Sequence, residues 1–153
     1  MTIDCKITKT SLSCEFPADP TLVESLMEKV KLFLDAACDE KTFFNLTIVL
    51  RESLNNAIFH GADQDHSKII SCRALLTKDK VEFEVSGPGP GFDWRDSLKR
   101  NPAGSTSHCG WGLFLIRQYS DGFEYNDSGT VLRFWIMLNP RRSEHTVKLN
   151  DCS

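Results

Sequence analysis

Polar and apolar residues alternate along CKITKTSLSCEFPAD, around Ile7, Leu12, Cys14 and Phe16. Alternation with a period of two predicts one strand or a short hairpin, stopped by Pro17. Asp19 then precedes Pro20, an N-cap followed by a proline in the first helical position. Leu22, Leu26, Val30, Phe33, Leu34 and Ala37 recur at helical spacing, which predicts an amphipathic helix over residues 20–37. A second helix is predicted from about Lys41 to His60, ended by Gly61. Residues 67–76 and 80–86 alternate as two antiparallel strands joined by TKDK. GWGLFLIRQYSD reads as a short apolar helix entered through glycines. Residues 122–127 and 130–138 form a last hairpin around DSGT.

The order β(β)–α–α–β–β–loop–α–β–β puts helices mainly in the first half and antiparallel strands mainly in the second. This predicts an α+β fold, a two-layer α/β sandwich with helices on one face of a mixed, mostly antiparallel sheet. The 153 residues suit a single domain with a core over about residues 11–138 and a polar tail over 140–153. Residues 87–109, rich in Gly, Pro, Ser and Asn, form a long irregular segment of the kind used as a lid.

Composition narrows the function classes. Apolar residues are 41% and charged residues 25%, values usual for a globular domain. A net charge of −3 without a dense basic patch argues against direct nucleic-acid binding. No apolar run nears the roughly 18 residues of a membrane span. MTIDCKITK lacks the apolar core of a signal peptide, so a cytoplasmic location is expected. The six cysteines, at 5, 14, 38, 72, 109 and 152, match no zinc spacing and are expected to be reduced thiols. The four histidines are scattered and predict no metal site.

Two features carry chemistry. Phe43, Phe44, Leu46, Ile48, Val49, Leu50, Leu54, Ala57, Ile58 and Phe59 make the second helix apolar enough to be buried on more than one side. Glu52, Asn56 and His60 interrupt it at i, i+4 and i+8, and so share one stripe. That stripe is either a plain solvent face or a site. As a site, Asn56 offers an oxygen to Mg²⁺ and Glu52 a proton acceptor one turn earlier. The second feature is glycine. Gly87, Gly89 and Gly91 follow a strand, and Gly110 and Gly112 open a helix. Glycines permit close backbone approach, and helix N-termini favour anions. Each patch alone reads equally as a turn or as packing. Their order together with Asn56 points to a nucleotide polyphosphate and its Mg²⁺.

RESLNNAIFHG (51–61), GPGPGFD (87–93) and GWGLFLIR (110–117) resemble the N, G1 and G2 boxes of the GHKL (Bergerat-fold, histidine-kinase-like) ATP-binding superfamily. Within it the chain is most similar to the anti-sigma-factor serine/threonine kinases of bacterial partner-switching systems, over about residues 11–138. The resemblance implies Glu52 as the general base and Asn56 as the Mg²⁺ ligand. It implies Gly89 and Gly91 at the adenine pocket, and Gly110 and Gly112 presenting backbone amides to the phosphates. Ser105, Thr106 and Ser107 fall in the implied ATP lid, where they either donate hydrogen bonds or are ordinary loop residues. The implied cofactors are ATP and Mg²⁺. The implied partners are a STAS-domain anti-sigma-factor antagonist, whose serine is the substrate, and a sigma factor or other regulator. Homodimerisation is common in that family.

The chain departs from the pattern twice. The G1 box normally begins with Asp, which accepts a hydrogen bond from the adenine amine, and Gly87 stands there. Trp111 occupies a position that is often basic or small. Two functions of different class follow: an ATP-dependent protein kinase and anti-sigma factor, or a non-catalytic binding module that keeps the fold and sequesters a partner. Retention of Glu52 and Asn56 favours the first; Gly87 favours the second.

Overall fold

A computed structural model describes residues 2–89 and 109–138. Strand β1 (Asp4–Ile7) turns through a short loop into β2 (Ser11–Pro17). The first helical segment divides in two, a 3-10 turn at Pro20–Leu22 and helix α1 at Val23–Leu34. Asp19 explains the tight start: its carboxylate accepts hydrogen bonds from both the backbone N–H and the hydroxyl of Thr21, at 2.9 and 2.8 Å. Helix α2 (Glu40–Asn55) is capped by Asp39, which accepts from the Thr42 N–H at 2.7 Å. At Asn56 the helix widens into a π turn that runs to Gly61. Strands β3 (Ile69–Leu76) and β4 (Lys80–Ser86) follow, then helix α3 (Cys109–Tyr119), β5 (Gly122–Tyr125) and β6 (Val131–Met137).

The six strands form one sheet in the order β1-β2-β3-β4-β6-β5. Every pairing among them is antiparallel, in keeping with the mostly antiparallel sheet expected. Alternate residues point to one face: Leu12, Cys14 and Phe16 on β2, Ile70, Cys72 and Ala74 on β3, Val81, Phe83 and Val85 on β4, Leu132, Phe134 and Ile136 on β6. The helices meet this face with Leu26, Val30 and Leu34 from α1, Leu46, Val49, Leu50 and Leu54 from α2, and Leu113 and Ile116 from α3. Phe83 and Phe134 are register partners, and their rings stack at 5.2 Å between centroids. The opposite face carries charge, with Arg133 bridging Glu84 at 3.1 Å and Glu124 at 3.3 Å. Burying one large aliphatic or aromatic side chain stabilises by about 1.5–3 kcal/mol. An exposed ion pair contributes about 0–1 kcal/mol. The single apolar layer between sheet and helices therefore holds the fold.

One expectation is narrowed and one is corrected. Helix α2 packs against α1, α3 and the sheet, but not every apolar residue on it is covered: Phe44, near its start, is 62% exposed. Two cysteines are not reduced thiols. Cys5 and Cys14 are register partners on β1 and β2, with Cα atoms 4.1 Å apart, and are joined by a disulfide. Antiparallel pairing brought together residues whose sequence spacing suggested no bridge. Cys38 and Cys72 are free thiols.

Candidate functional site

Helix α2 crosses the sheet so that its last turn faces the ends of β4, β5 and β6. Ser53, Asn56 and Ala57 from this turn line a cavity with Gly87 and Pro88 beyond β4, and with Tyr125, Gly129 and Thr130 from the last hairpin. The cavity holds about 310 Å³ of empty space, part of it open to solvent.

Helix α3 packs along α2, and Gly112 is where they come closest to the polar stripe. A Cβ on Gly112 would lie 3.3 Å from both Asn56 Oδ1 and Glu52 Oε2. With no side chain of its own, Gly112 packs close against both side chains at the entry of an apolar helix. This contact joins Gly112 to Glu52 and Asn56, which sequence spacing had placed together in a different motif. Glu52 is partly buried, and burial pushes its carboxyl above the ordinary value of 4.5, with neighbouring Arg51 pulling it back down. Arg51 is itself paired with Glu24 of α1. A carboxylate raised in this way is a better proton acceptor near neutral pH than a fully solvated one.

Asn56 also faces Tyr125. Burial raises the Tyr125 phenol to about 12, and a hydrogen bond with the Asn56 side chain acts in the opposite direction. The tyrosine is therefore a neutral, fixed wall of the cavity. Thr130 is held in place by Asn126, whose side-chain oxygen accepts from the N–H groups of Thr130 and Val131 at 2.9 and 3.0 Å. The Thr130 carbonyl accepts from the Gly87 N–H at 3.1 Å, which ties the loop after β4 to this hairpin. Sequence reasoning missed Tyr125 and Thr130 as site residues. The DSGT segment read only as a turn, and nothing local marks a turn residue as facing a helix 70 residues away.

Gly87 lines this cavity. A Cβ there would meet Ile70 Cδ1 at 3.3 Å and Ala57 Cβ at 3.4 Å. Gly89 has φ +96°, and a side chain on it would collide with the Gly61 carbonyl. The loop after β4 is thus pressed against the end of the π turn. His60, expected on the Glu52–Asn56 stripe, is exposed and does not line the cavity. Gly110 falls in the first turn of α3. Gly91, Ser105 and Thr106 lie outside the described residues.

The donor set suits a hard cation bound through phosphate. Among the described residues no three His, Cys, Asp or Glu side chains are grouped to hold a metal alone. Asn56 Oδ1 is an oxygen donor of the kind that suits Mg²⁺, which takes few protein ligands and completes its shell with water and phosphate oxygens. Among the described residues no helix is long and apolar enough to cross a membrane.

Comparison with known proteins agrees with this geometry. The chain is 25% identical over 115 residues to the serine-protein kinase RsbW of Bacillus subtilis, covering 70% of this chain and 72% of the relative. It is 26% identical over 106 residues to the anti-sigma F factor of Clostridium perfringens, covering 65% and 74%. Its fold is similar to the crystal structure of the RsbU and RsbW domains of a Mycobacterium tuberculosis protein, with a TM-score of 0.56 and 14% identity. That likeness covers 84% of this chain and 32% of the larger one. Residues 16–136 match the histidine kinase-like ATPase domain, and the chain with its sandwich of three helices on an antiparallel sheet belongs to that family.

Proposed function

We propose that this protein binds ATP with Mg²⁺ and transfers the γ-phosphoryl group to a serine of a STAS-domain antagonist, acting also as an anti-sigma factor in a partner-switching pathway. The observation that carries the reading is the close approach of Gly112, in the first turns of α3, to Glu52 and Asn56 on α2. The names of the relatives, a serine-protein kinase and an anti-sigma factor, support it.

Phosphoryl transfer depends mainly on positioning and on neutralising charge. The base of the nucleotide enters the cavity between Ala57, Gly87 and Thr130. The phosphates then run toward the start of α3, where the backbone N–H groups of the first turn, including those of Gly110 and Gly112, favour an anion. Mg²⁺, when bound, screens the phosphate charge beside Asn56. Glu52 accepts the proton of the incoming serine hydroxyl, and its burial keeps that acceptor out of bulk water. Gly91, Ser105 and Thr106 complete the base rim and lid in this reading.

A thermal-shift titration with ADP and ATP, with and without Mg²⁺, tests it. Ligand at 100 times its dissociation constant adds about 2.7 kcal/mol of stability. The expected result is a Mg²⁺-dependent upward shift, followed by transfer of label from ATP to a STAS-domain protein. No shift at millimolar nucleotide would sink the kinase reading and leave a binding module that sequesters its partner.

A further inference from the structure

One row of register partners crosses the entire sheet on its core face: Cys5, Cys14, Cys72, Val85, Leu132 and Tyr125. The last three belong to the cavity. The first three are cysteines on adjacent strands at the other end. Their settings differ. Cys14 and Cys72 are fully buried, and Cys5 is partly open on a strand whose other residues are all exposed. β1 is an edge strand of four residues and pairs only with β2. Besides the disulfide, β1 is held by its four-residue antiparallel pairing with β2, and among the described residues of this end Ile3 and Cys5 pack against the core.

We propose that the Cys5–Cys14 disulfide is a redox-reversible clip that fastens β1 to the sheet and is opened by a dithiol reductant attacking at Cys5. The direction of attack follows from access, because Cys5 is partly exposed on the edge strand while Cys14 is fully buried. A thiolate of the reductant attacks Cys5 Sγ and displaces Cys14 as a thiolate, which takes a proton. The second thiol of the reductant then attacks the mixed disulfide and releases Cys5, also as a thiol. Two electrons pass from the dithiol to the protein, and the reductant leaves as a disulfide. Cys72 lies beside Cys14 on the far side but does not compete. Burial raises its thiol to about 12, so almost no thiolate is present to exchange.

Opening the clip frees β1 and leaves β2 as the edge strand, four strands away from the cavity's Tyr125. Closing a loop of this length, with the cysteines nine residues apart, changes a local opening equilibrium on the order of 100-fold. The effect is therefore expected at β1 and not at the cavity.

Hydrogen exchange by mass spectrometry on the full chain, equilibrated with oxidised glutathione or with dithiothreitol, tests this, with peptide mapping of the crosslink in parallel. The expected results are a Cys5–Cys14 linked peptide only in the oxidised sample, and amide exchange in residues 4–7 on the order of 100-fold faster after native-state reduction. Exchange in β4, β6 and α2 is expected to stay the same. Cys5→Ser, at the partly open position, should exchange fast under both conditions, and Cys72→Ser should behave as the parent protein. Failure to find the linked peptide after oxidation would overturn the proposal. So would a bond that dithiothreitol leaves intact in the folded protein, or equal exchange of β1 in both states.

Discussion

Gly89 runs so close to Gly61 that a side chain at 89 would overlap the Gly61 carbonyl, and its φ of +96° is one that other residues rarely adopt. The contact presses the loop after β4 onto the π turn at the end of α2. Gly89→Ala should therefore carry two penalties, strain of about 1–3 kcal/mol and displacement of the loop. Urea unfolding should show a loss of about that size, with nucleotide binding weakened in the same variant. A fully stable Gly89→Ala protein that binds normally would mean that the loop does not depend on this contact.

Gly112→Ala separates stability from binding. Alanine is worth up to about 1 kcal/mol over glycine inside a helix. Its methyl group would stand 3.3 Å from Glu52 Oε2 and Asn56 Oδ1, where those side chains must give by a few tenths of an ångström. The melting temperature should hold or rise, while the affinity for Mg²⁺–nucleotide falls by about 10-fold, a change of roughly 1.4 kcal/mol. Calorimetric titration beside a melting curve reads both.

Glu52→Gln has a pH signature. The folded-state pKa of Glu52 is raised above 4.5 by burial, so the folded protein binds this proton more tightly than the unfolded chain does. Stability from this residue is then highest at low pH. It falls as pH rises from the unfolded to the folded value, and stays lower above that window. The amide carries no such penalty. Glu52→Gln should melt higher than the parent near pH 7 and show no gain near pH 4. Phosphoryl transfer should drop by about 10²- to 10⁴-fold, with ADP binding retained. An equal gain at both pH values would exclude burial of the charge as the cause.

Gly87→Asp tests the base end of the cavity. The new Cβ would touch the mobile tip of Ile70 at 3.3 Å and the Ala57 methyl at 3.4 Å, a tight fit that a small shift of Ile70 accommodates. The variant should fold. An added carboxylate acceptor facing a base amine should strengthen adenine-nucleotide binding by about 5- to 150-fold, the range of one to three kcal/mol for a buried hydrogen bond. Guanine nucleotides, with an acceptor at that position, should gain nothing. Equal responses to both would show that residue 87 does not face the base edge.

Most of the architecture was legible along the chain, for local reasons. Period-two alternation marked β2, β3, β4 and β6 because one face of each is buried, and Asp19 and Asp39 marked the helix starts by capping them. Glu52 and Asn56 stood out because polar residues one turn apart on an apolar helix need a reason to be there. What the sequence by itself determined is therefore the set of elements, the family resemblance and the two residues most suited to the chemistry. The tertiary structure decided what depends on contacts between distant segments. Packing of α3 on α2 set Gly112 against Glu52 and Asn56, and left His60 exposed and outside the cavity lining. The last hairpin delivered Tyr125 and Thr130 to the cavity, and strand register joined Cys5 to Cys14. None of these follows from periodicity, because each is a distance between residues that only the closed sheet and its helices bring together.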